Sequence, residues 1–311
     1  VPRPVVHVPG DVATTTTGPG QRGMTKLWAM RALMPLAGRF PRLFYGVAWV
    51  LGWLAWELRR GMRRRVTRNL LPFCDGDRAK ATREGKEALR NIARYYVDLA
   101  SVPHRDIATY EAEHLTIRNA ERLSVLGDGE PVIIVSCHTG NPELALQALT
   151  TRGRSFLALV EPLRPPAMAR YLRGIRSSAG GTFVNADLRG ARAALEALNA
   201  GGIVAIVADR DIQGTGVCTP LAGREVRIGQ GPWELARRTG AVILPIFARR
   251  RGHEDQEITV HEPYRVDRDA PHEEALRAAA ARFAGLLEAH IREEPRQWTV
   301  HEDFWEVHRC G

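Results

Sequence analysis

The chain has few cysteines, and the four that it contains are scattered. Cys74, Cys137, Cys218 and Cys310 share no C-x-x-C spacing, so the sequence predicts neither a metal site nor a disulfide framework. Cys137 follows a short apolar run, and we interpret it as a small buried side chain rather than a nucleophile. This use of cysteine is typical of a cytosolic protein.

Several motifs that define functional classes are missing. A Gly-x-Ser-x-Gly elbow does not occur, which argues against a serine hydrolase. Helix-turn-helix, finger and aromatic RNA-binding motifs are also missing, so we expect no nucleic-acid partner. Residues 1–23 do not have the pattern of a secretory signal. They are rich in Pro, Gly and Thr and predict a disordered leader, with a plausible natural start at Met24.

A long apolar run is missing too. The run Phe44–Leu58 falls short of the roughly twenty residues that a transmembrane helix needs. Its tryptophans precede an arginine cluster at 59–65, a pattern typical of a helix at the headgroup level of an anionic membrane. We therefore predict an N-terminal apolar helical membrane-associating segment over residues 24–65. A pair of ordinary core helices and a true span are the alternatives.

The composition describes one basic globular domain. Of 311 residues, 44 are Lys or Arg and 35 are Asp or Glu, which gives a net charge of +9 and suits anionic partners such as lipid headgroups or coenzyme A phosphates. From residue 66 to 311, apolar runs alternate with helical periodicity, which predicts an α/β fold with a central, mostly parallel sheet flanked by helices. The glycine-rich stretch 214–231 predicts a long irregular loop. The main predicted strands are 132–135, 155–160, 203–208, 241–247 and 257–264, the last at a sheet edge.

The centre of the predicted domain is the strand-to-helix junction at 131–149. His138 leaves the carboxyl end of the first strand, Gly140 permits a tight turn, Asn141 is a good N-cap, and Glu143 falls in the first helical turn. Ligands of open α/β sheets collect at this edge. A neutral histidine there can take a proton from a hydroxyl, while Glu143 holds its other ring nitrogen. The alternative is a histidine satisfied by the backbone and a glutamate that complements the helix dipole.

Two further regions carry candidate residues. Asp209 and Arg210 follow the strand 203–208 at the same edge, where a buried Asp209 would need a partner such as Arg210 or His138. Three arginines recur every third residue on a predicted helix, an arrangement that suits phosphate binding or a solvated face. They are Arg170, Arg173 and Arg176.

These motifs resemble those of a known enzyme superfamily. The string HTGNPE at 138–143 is similar to the His-x4-Asp/Glu motif of the lysophospholipid acyltransferase superfamily, and most closely to its branch of lipid A late acyltransferases and phosphatidylinositol mannoside acyltransferases. Pro142 stands where that branch usually has tryptophan. The Ala-Asp-Arg-Asp block at 208–211 and the Pro-x-Gln-Trp sequence at 295–298 resemble two further blocks of the branch, in the same order.

The resemblance implies a membrane-associated acyltransferase, peripheral on the cytosolic face of the cytoplasmic membrane. It would move a long fatty acyl chain from acyl-CoA or acyl carrier protein to a hydroxyl of a lipid or glycolipid, with His138 as general base and no metal or other cofactor. It also implies that Asp209 lies near the histidine, and we predict a catalytic or positioning role for it beside His138 and Glu143. A thioesterase or other hydrolase with the same dyad, or a non-catalytic basic lipid-binding protein, are the alternatives.

Eight residues are candidates for substrate binding. Backbone N–H groups from Gly140 and Asn141 to the helix N-terminus would stabilise the oxyanion. The resemblance implies that the loop at 161–165 contributes to the acceptor site. The full set of substrate-binding candidates is Gly140, Asn141, Glu161, Arg164, Arg170, Arg173, Arg210 and Arg224.

Overall fold

The computed structural model describes residues 21–127 and 129–310. Most of the predicted leader, residues 1–20, lies outside the described residues. The first helix begins at Gln21, within the range predicted as leader. The strands are Leu115–Arg118 (β1), Val132–Ser136 (β2), Phe156–Val160 (β3), Thr182–Asn185 (β4), Ile203–Val207 (β5), Val217–Leu221 (β6), Arg224–Ile228 (β7), Val242–Arg250 (β8) and Gln256–Val260 (β9).

Helices precede the sheet and then alternate with its strands. Short 3₁₀ turns connect several of them. The α-helices are Gln21–Arg39 (α1), Pro41–Leu58 (α2), Arg60–Leu70 (α3), Arg78–Ser101 (α4), Ile107–His114 (α5), Pro142–Thr151 (α6), Pro166–Ser177 (α7), Leu188–Asn199 (α8), Gly231–Thr239 (α9), His272–Glu293 (α10) and Phe304–Val307 (α11).

The described strands form a seven-stranded sheet and a separate two-stranded hairpin. The sheet order is β1-β9-β8-β2-β5-β3-β4. Neighbouring strands are parallel except β8 and β9, so the sheet is mostly parallel, as predicted. Side chains alternate between two apolar cores: Ile133 and Val135 enter one, and Val132 and Ile134 the other. Cys137 continues the first set and is fully buried, in agreement with its interpretation as a packing residue.

The N-terminal segment is helical and half packed. Tyr45 and Trp56 of α2 are buried, and α2 lies so close to α4 that a Cβ on Gly52 would be 2.7 Å from the Arg90 Cα. Trp28 and Trp53 are exposed. No helix among the described residues has the length and apolar character needed to cross a bilayer.

Two predictions about strands and one about cysteines are wrong. The glycine-rich stretch 214–231 contains the β6–β7 hairpin, because β-branched residues in both strands favour pairing across the tight turn at 222–223: Val217 and Thr219 in β6, and Val226 and Ile228 in β7. Strand β9 lies between β1 and β8, since the short, half-polar β1 covers the edge that β9 was expected to form. A disulfide joins Cys218 in β6 to Cys310. A spacing of 92 residues carries no local signal for that pair.

Candidate active site

His138 and Asp209 lie opposite each other on neighbouring parallel strands. Ser136 of β2 is in register with Val207 of β5, so the residues two positions beyond each strand end are also paired. The His138 Nδ1 is 2.7 Å from Asp209 Oδ1, and the His138 backbone N–H donates to Oδ2 at 3.1 Å. Sheet register therefore places an acid against one nitrogen of the imidazole.

The Asp209 carboxylate is fully buried and fully hydrogen-bonded. Trp298 Nε1–H donates to its Oδ2 at 2.8 Å. Burial acts to raise the pKa of Asp209, but the charge of His138 and the hydrogen bonds from His138 and Trp298 outweigh it and hold that pKa below its ordinary value. Asp209 is consequently an anion at neutral pH.

The Pro-x-Gln-Trp block packs directly behind this pair. The Thr299 N–H and hydroxyl both donate to the His138 carbonyl, at 2.8 and 2.9 Å. The Trp298 ring packs edge-on against Phe73 and Phe304. Two blocks that the sequence shows only as separate motifs thus meet at one histidine.

Glu143 does not have the partner that the sequence predicted. Its two oxygens accept from the Tyr95 hydroxyl at 2.7 Å and from Arg176 Nε at 2.8 Å. Arg176 also donates to the Tyr95 hydroxyl, which closes a triangle between α4, α6 and α7. Burial and the charge of Glu143 raise the pKa of Tyr95, so its hydroxyl stays protonated. The carboxylate that contacts the imidazole of His138 is Asp209, which corrects the expected role of Glu143.

A cavity of about 1000 Å³ opens in front of His138, whose side chain is 34% exposed. Arg210 is part of the cavity wall. Its guanidinium donates two hydrogen bonds to Glu302, at 2.6 and 2.7 Å, and one to Glu161 at 3.0 Å. Burial acts to raise the pKa of Glu302, but the hydrogen bonds and charges of His308 and Arg210 outweigh burial and lower that pKa to about 2. Of the predicted substrate-binding residues, the cavity lining includes Gly140, Glu161 and Arg210.

Gly140 and Asn141 shape the turn after His138 in different ways. Gly140 has a φ of +55°, and a Cβ there would be 2.7 Å from the backbone carbonyl of Ala248, so the turn needs glycine. Asn141 is buried and caps α6 through the Leu144 N–H. Its own N–H donates to Gln256 Oε1 at 3.2 Å. The Asn141 backbone N–H therefore already has an acceptor, whereas the sequence suggested that this N–H would donate to an oxyanion.

The other predicted arginines lie away from the cavity lining. Arg164 and Arg170 are exposed, Arg173 donates to Asn185, and Arg224 lies over the Trp305 ring at 4.9 Å. Arg176 lies in the lining, but the sequence suggested it only as one of the three regularly spaced arginines of α7, which we call the arginine stripe. Other residues of the lining were not predicted, and they include Tyr95, Arg192 and Arg238, whose only signal in the sequence was their position on a helix.

Comparisons with known proteins agree with the motifs. A family model described as bacterial lipid A biosynthesis acyltransferase matches residues 22–305. The chain is 27% identical over 244 residues to a phosphatidylinositol mannoside acyltransferase of Mycolicibacterium smegmatis, covering 68% of this chain and 78% of that protein. It is 28% identical over 229 residues to the protein of that description in Mycobacterium tuberculosis, covering 70% and 69%.

A solved structure is also similar. The 1-acyl-sn-glycerophosphate acyltransferase of Thermotoga maritima aligns with a TM-score of 0.36 at 20% identity, over 65% of this chain and 83% of that one. The match at 22–305 includes every block on which the resemblance was based and confirms it. The chain therefore belongs to the bacterial lipid A biosynthesis acyltransferase family and is an acyltransferase.

Proposed function

We propose that this acyltransferase moves a long fatty acyl chain from a thioester donor to a hydroxyl of a lipid or glycolipid, with His138 as general base. The observation that carries the proposal is the contact of Asp209 with His138 Nδ1 at the wall of the large cavity. A carboxylate on Nδ1 favours the tautomer in which Nε2 carries the free lone pair. That nitrogen is then the base available to a bound hydroxyl.

The reaction needs one proton to move twice. As the acceptor oxygen bonds to the thioester carbonyl carbon, His138 Nε2 takes the hydroxyl proton. The tetrahedral intermediate then breaks its C–S bond, and the imidazolium returns the proton to the departing thiolate. Asp209 stays ionised and stabilises the imidazolium between the two transfers. The products are an ester and a free thiol.

The cavity walls support an acyl substrate. Four apolar residues at the ends of β3 and β5 line the large cavity and also a second, mainly apolar cavity of about 80 Å³ beside it. Apolar walls stabilise a hydrocarbon chain by removing its surface from water. These four residues are Leu159, Val160, Ile206 and Val207.

The named relatives suggest which acceptor to test first. Both are phosphatidylinositol mannoside acyltransferases, so we propose a mannosylated phosphatidylinositol as the acceptor class. The protein would be incubated with palmitoyl-CoA, with and without that glycolipid, while free thiol and lipid masses are measured. We expect thiol release that depends on the glycolipid, together with a lipid heavier by one acyl group. Thiol release without an acylated lipid would instead identify a thioesterase.

We also propose that α1 and α2 hold the protein on the cytosolic face of the cytoplasmic membrane. Exposed apolar residues on α2 recur at helical spacing and form one continuous face. Its C-terminal end meets the exposed Arg59, Arg60 and Arg64, which suit anionic headgroups. The exposed face comprises Leu43, Val47, Val50, Leu51 and Leu58.

Two charges on this face should weaken membrane binding. We expect the double variant Leu43→Lys/Leu51→Lys to bind anionic vesicles at least about 10-fold more weakly, because each leucine contributes roughly 1.5–3 kcal/mol when buried. Co-sedimentation with vesicles of phosphatidylglycerol and phosphatidylcholine measures this. Val307→Lys, on the exposed part of α11, is the matched control and should bind like the wild type. Equal binding by all three proteins would contradict the proposal.

A further inference from the structure

A buried ion pair that the proposed reaction does not use lies beneath the active site. Asp98 of α4 is 1% exposed and Arg250, at the end of β8, is 5% exposed. Their side chains are joined in a direct ion pair, and Arg250 Nη1 also donates to the His253 carbonyl at 2.8 Å. A buried pair is a weak source of stability, since desolvation offsets its attraction. Its connections are therefore more informative than its existence.

The first connection leads to the turn that follows His138. Asn141 Nδ2–H donates to Asp98 Oδ2 at 3.1 Å. The Oδ1 of the same asparagine accepts from the Leu144 N–H at 3.0 Å and caps α6. One amide side chain thus fixes the start of α6 to Asp98, and with it the turn between His138 and Glu143.

The second connection leads to the acid that contacts the histidine. The Arg250 backbone N–H donates to Gln297 Oε1 at 3.0 Å, and the Arg250 carbonyl accepts from Gln297 Nε2 at 2.9 Å. The next residue, Trp298, donates to Asp209. The residue that pairs with Asp98 is thereby fixed to the segment that holds Asp209 in place.

A third connection leads to α2. The Tyr45 hydroxyl donates to Asp98 Oδ1 at 2.6 Å, and Tyr45 is 1% exposed. Each Asp98 oxygen therefore has a donor besides Arg250, Tyr45 on one and Asn141 on the other. Rotation of the carboxylate would break both hydrogen bonds, so the Tyr45 hydroxyl also determines how Asp98 meets Asn141.

We infer that Asp98 is a positioning residue of the active site, which holds the His138 turn through Asn141 and the Asp209 side through Arg250, and which is itself oriented by Tyr45. The inference rests on the proposed function of His138. Asp98 thus links α2, which has an exposed apolar face, to the reacting groups through one buried carboxylate. Small displacements of reacting groups are costly, since a shift of about 1 Å can lower a rate roughly 10²-fold.

Tyr45→Phe tests the inference with the smallest change. It removes one hydroxyl and keeps the ring, which packs on His253 with centroids 5.6 Å apart. We expect kcat to fall about 10-fold, with the KM for the thioester within about 2-fold of wild type. Vesicle binding should be unchanged, because the exposed face of α2 is intact. Steady-state kinetics, thermal unfolding and co-sedimentation supply the three measurements.

Tyr110→Phe is the matched control. Tyr110 is also buried, but its hydroxyl donates to the Glu254 carbonyl at 3.1 Å and not to Asp98. It should lose a similar amount of stability and keep the wild-type kcat. Equal kcat values in both phenylalanine variants would overturn the inference.

Asn141→Ser gives a second, independent test. Serine can still cap α6, but its side chain is too short to reach Asp98. We expect a fall in kcat like that of Tyr45→Phe, and a double variant whose loss is smaller than the product of the single losses, since both act through one carboxylate. Fully multiplicative losses would contradict a shared route. If His138→Ala stayed active, the proposed function itself would fail, which is a different result from equal phenylalanine variants.

Discussion

Replacing His138 with alanine should lower kcat/KM for acyl transfer by roughly 10²- to 10⁴-fold. The variant loses the only atom in the proposed reaction that takes the acceptor proton, while the cavity and its walls stay in place. The variant also removes one hydrogen-bond partner of the buried Asp209 carboxylate, so it should lose some stability, and the assay is run well below its melting temperature. The rate of thiol release from palmitoyl-CoA in the presence of the glycolipid acceptor is the measurement, with thermal unfolding as a check on folding.

The matched control for this variant is His301→Ala. His301 lines the same cavity, and burial lowers its pKa, so His301 places another imidazole, itself uncharged at neutral pH, close to the reaction. Its ring has no role in the proposed proton transfers, and we expect a loss of less than about 5-fold. Full activity of His138→Ala, or an equal loss in both variants, would show that the base is assigned wrongly.

Asp209→Asn should have the second largest effect, a loss in kcat of roughly 10²- to 10⁴-fold. The change is nearly isosteric, but it removes the charge that stabilises the imidazolium. An asparagine amide can also donate to Nδ1, which would select the tautomer that carries its proton on Nε2, where no base is then available. The measurement is kcat at saturating donor and acceptor, at a single neutral pH.

Glu143→Gln is the informative comparison for Asp209→Asn. Glu143 contacts Tyr95 and Arg176 rather than the imidazole, so its charge supports the shape of the cavity. We expect a loss at least about 10-fold smaller than that of Asp209→Asn, and expressed mainly in KM. The opposite ranking would restore Glu143 as the acid that serves His138, which is the arrangement that the sequence alone suggested.

The sequence predicted the local structure of the site well. The predicted strand 132–135 is β2 without its last residue, and the predicted strand 203–208 is β5 with one residue added. His138 does follow a buried strand, and Asn141 does cap the next helix. These features depend on residues close together in the chain: an apolar run for a covered strand, a period of 3.6 for a helix, and cap and turn residues at its ends.

Contacts between distant segments were harder to predict. The hairpin at 217–228 pairs two strands that read as one glycine-rich loop, and the Cys218–Cys310 disulfide joins residues with no shared spacing. The regular arginine stripe on α7 splits in the structure: Arg176 turns toward Glu143, whereas Arg170 is exposed. Spacing predicts a common helix face, but it does not state which neighbour each side chain meets.

By itself, the sequence determined that a histidine stands at the carboxyl end of a buried strand, that an acid lies close after it, and that three blocks belong to one family. Only the tertiary structure decided which acid serves that histidine. The sheet order puts β5 next to β2, in register, and so brings Asp209 to the imidazole. Glu143, five residues from His138 in the chain, instead meets Tyr95 and Arg176 from two other helices. Strand order is set by the burial of both sheet faces over the whole domain, which no local pattern contains.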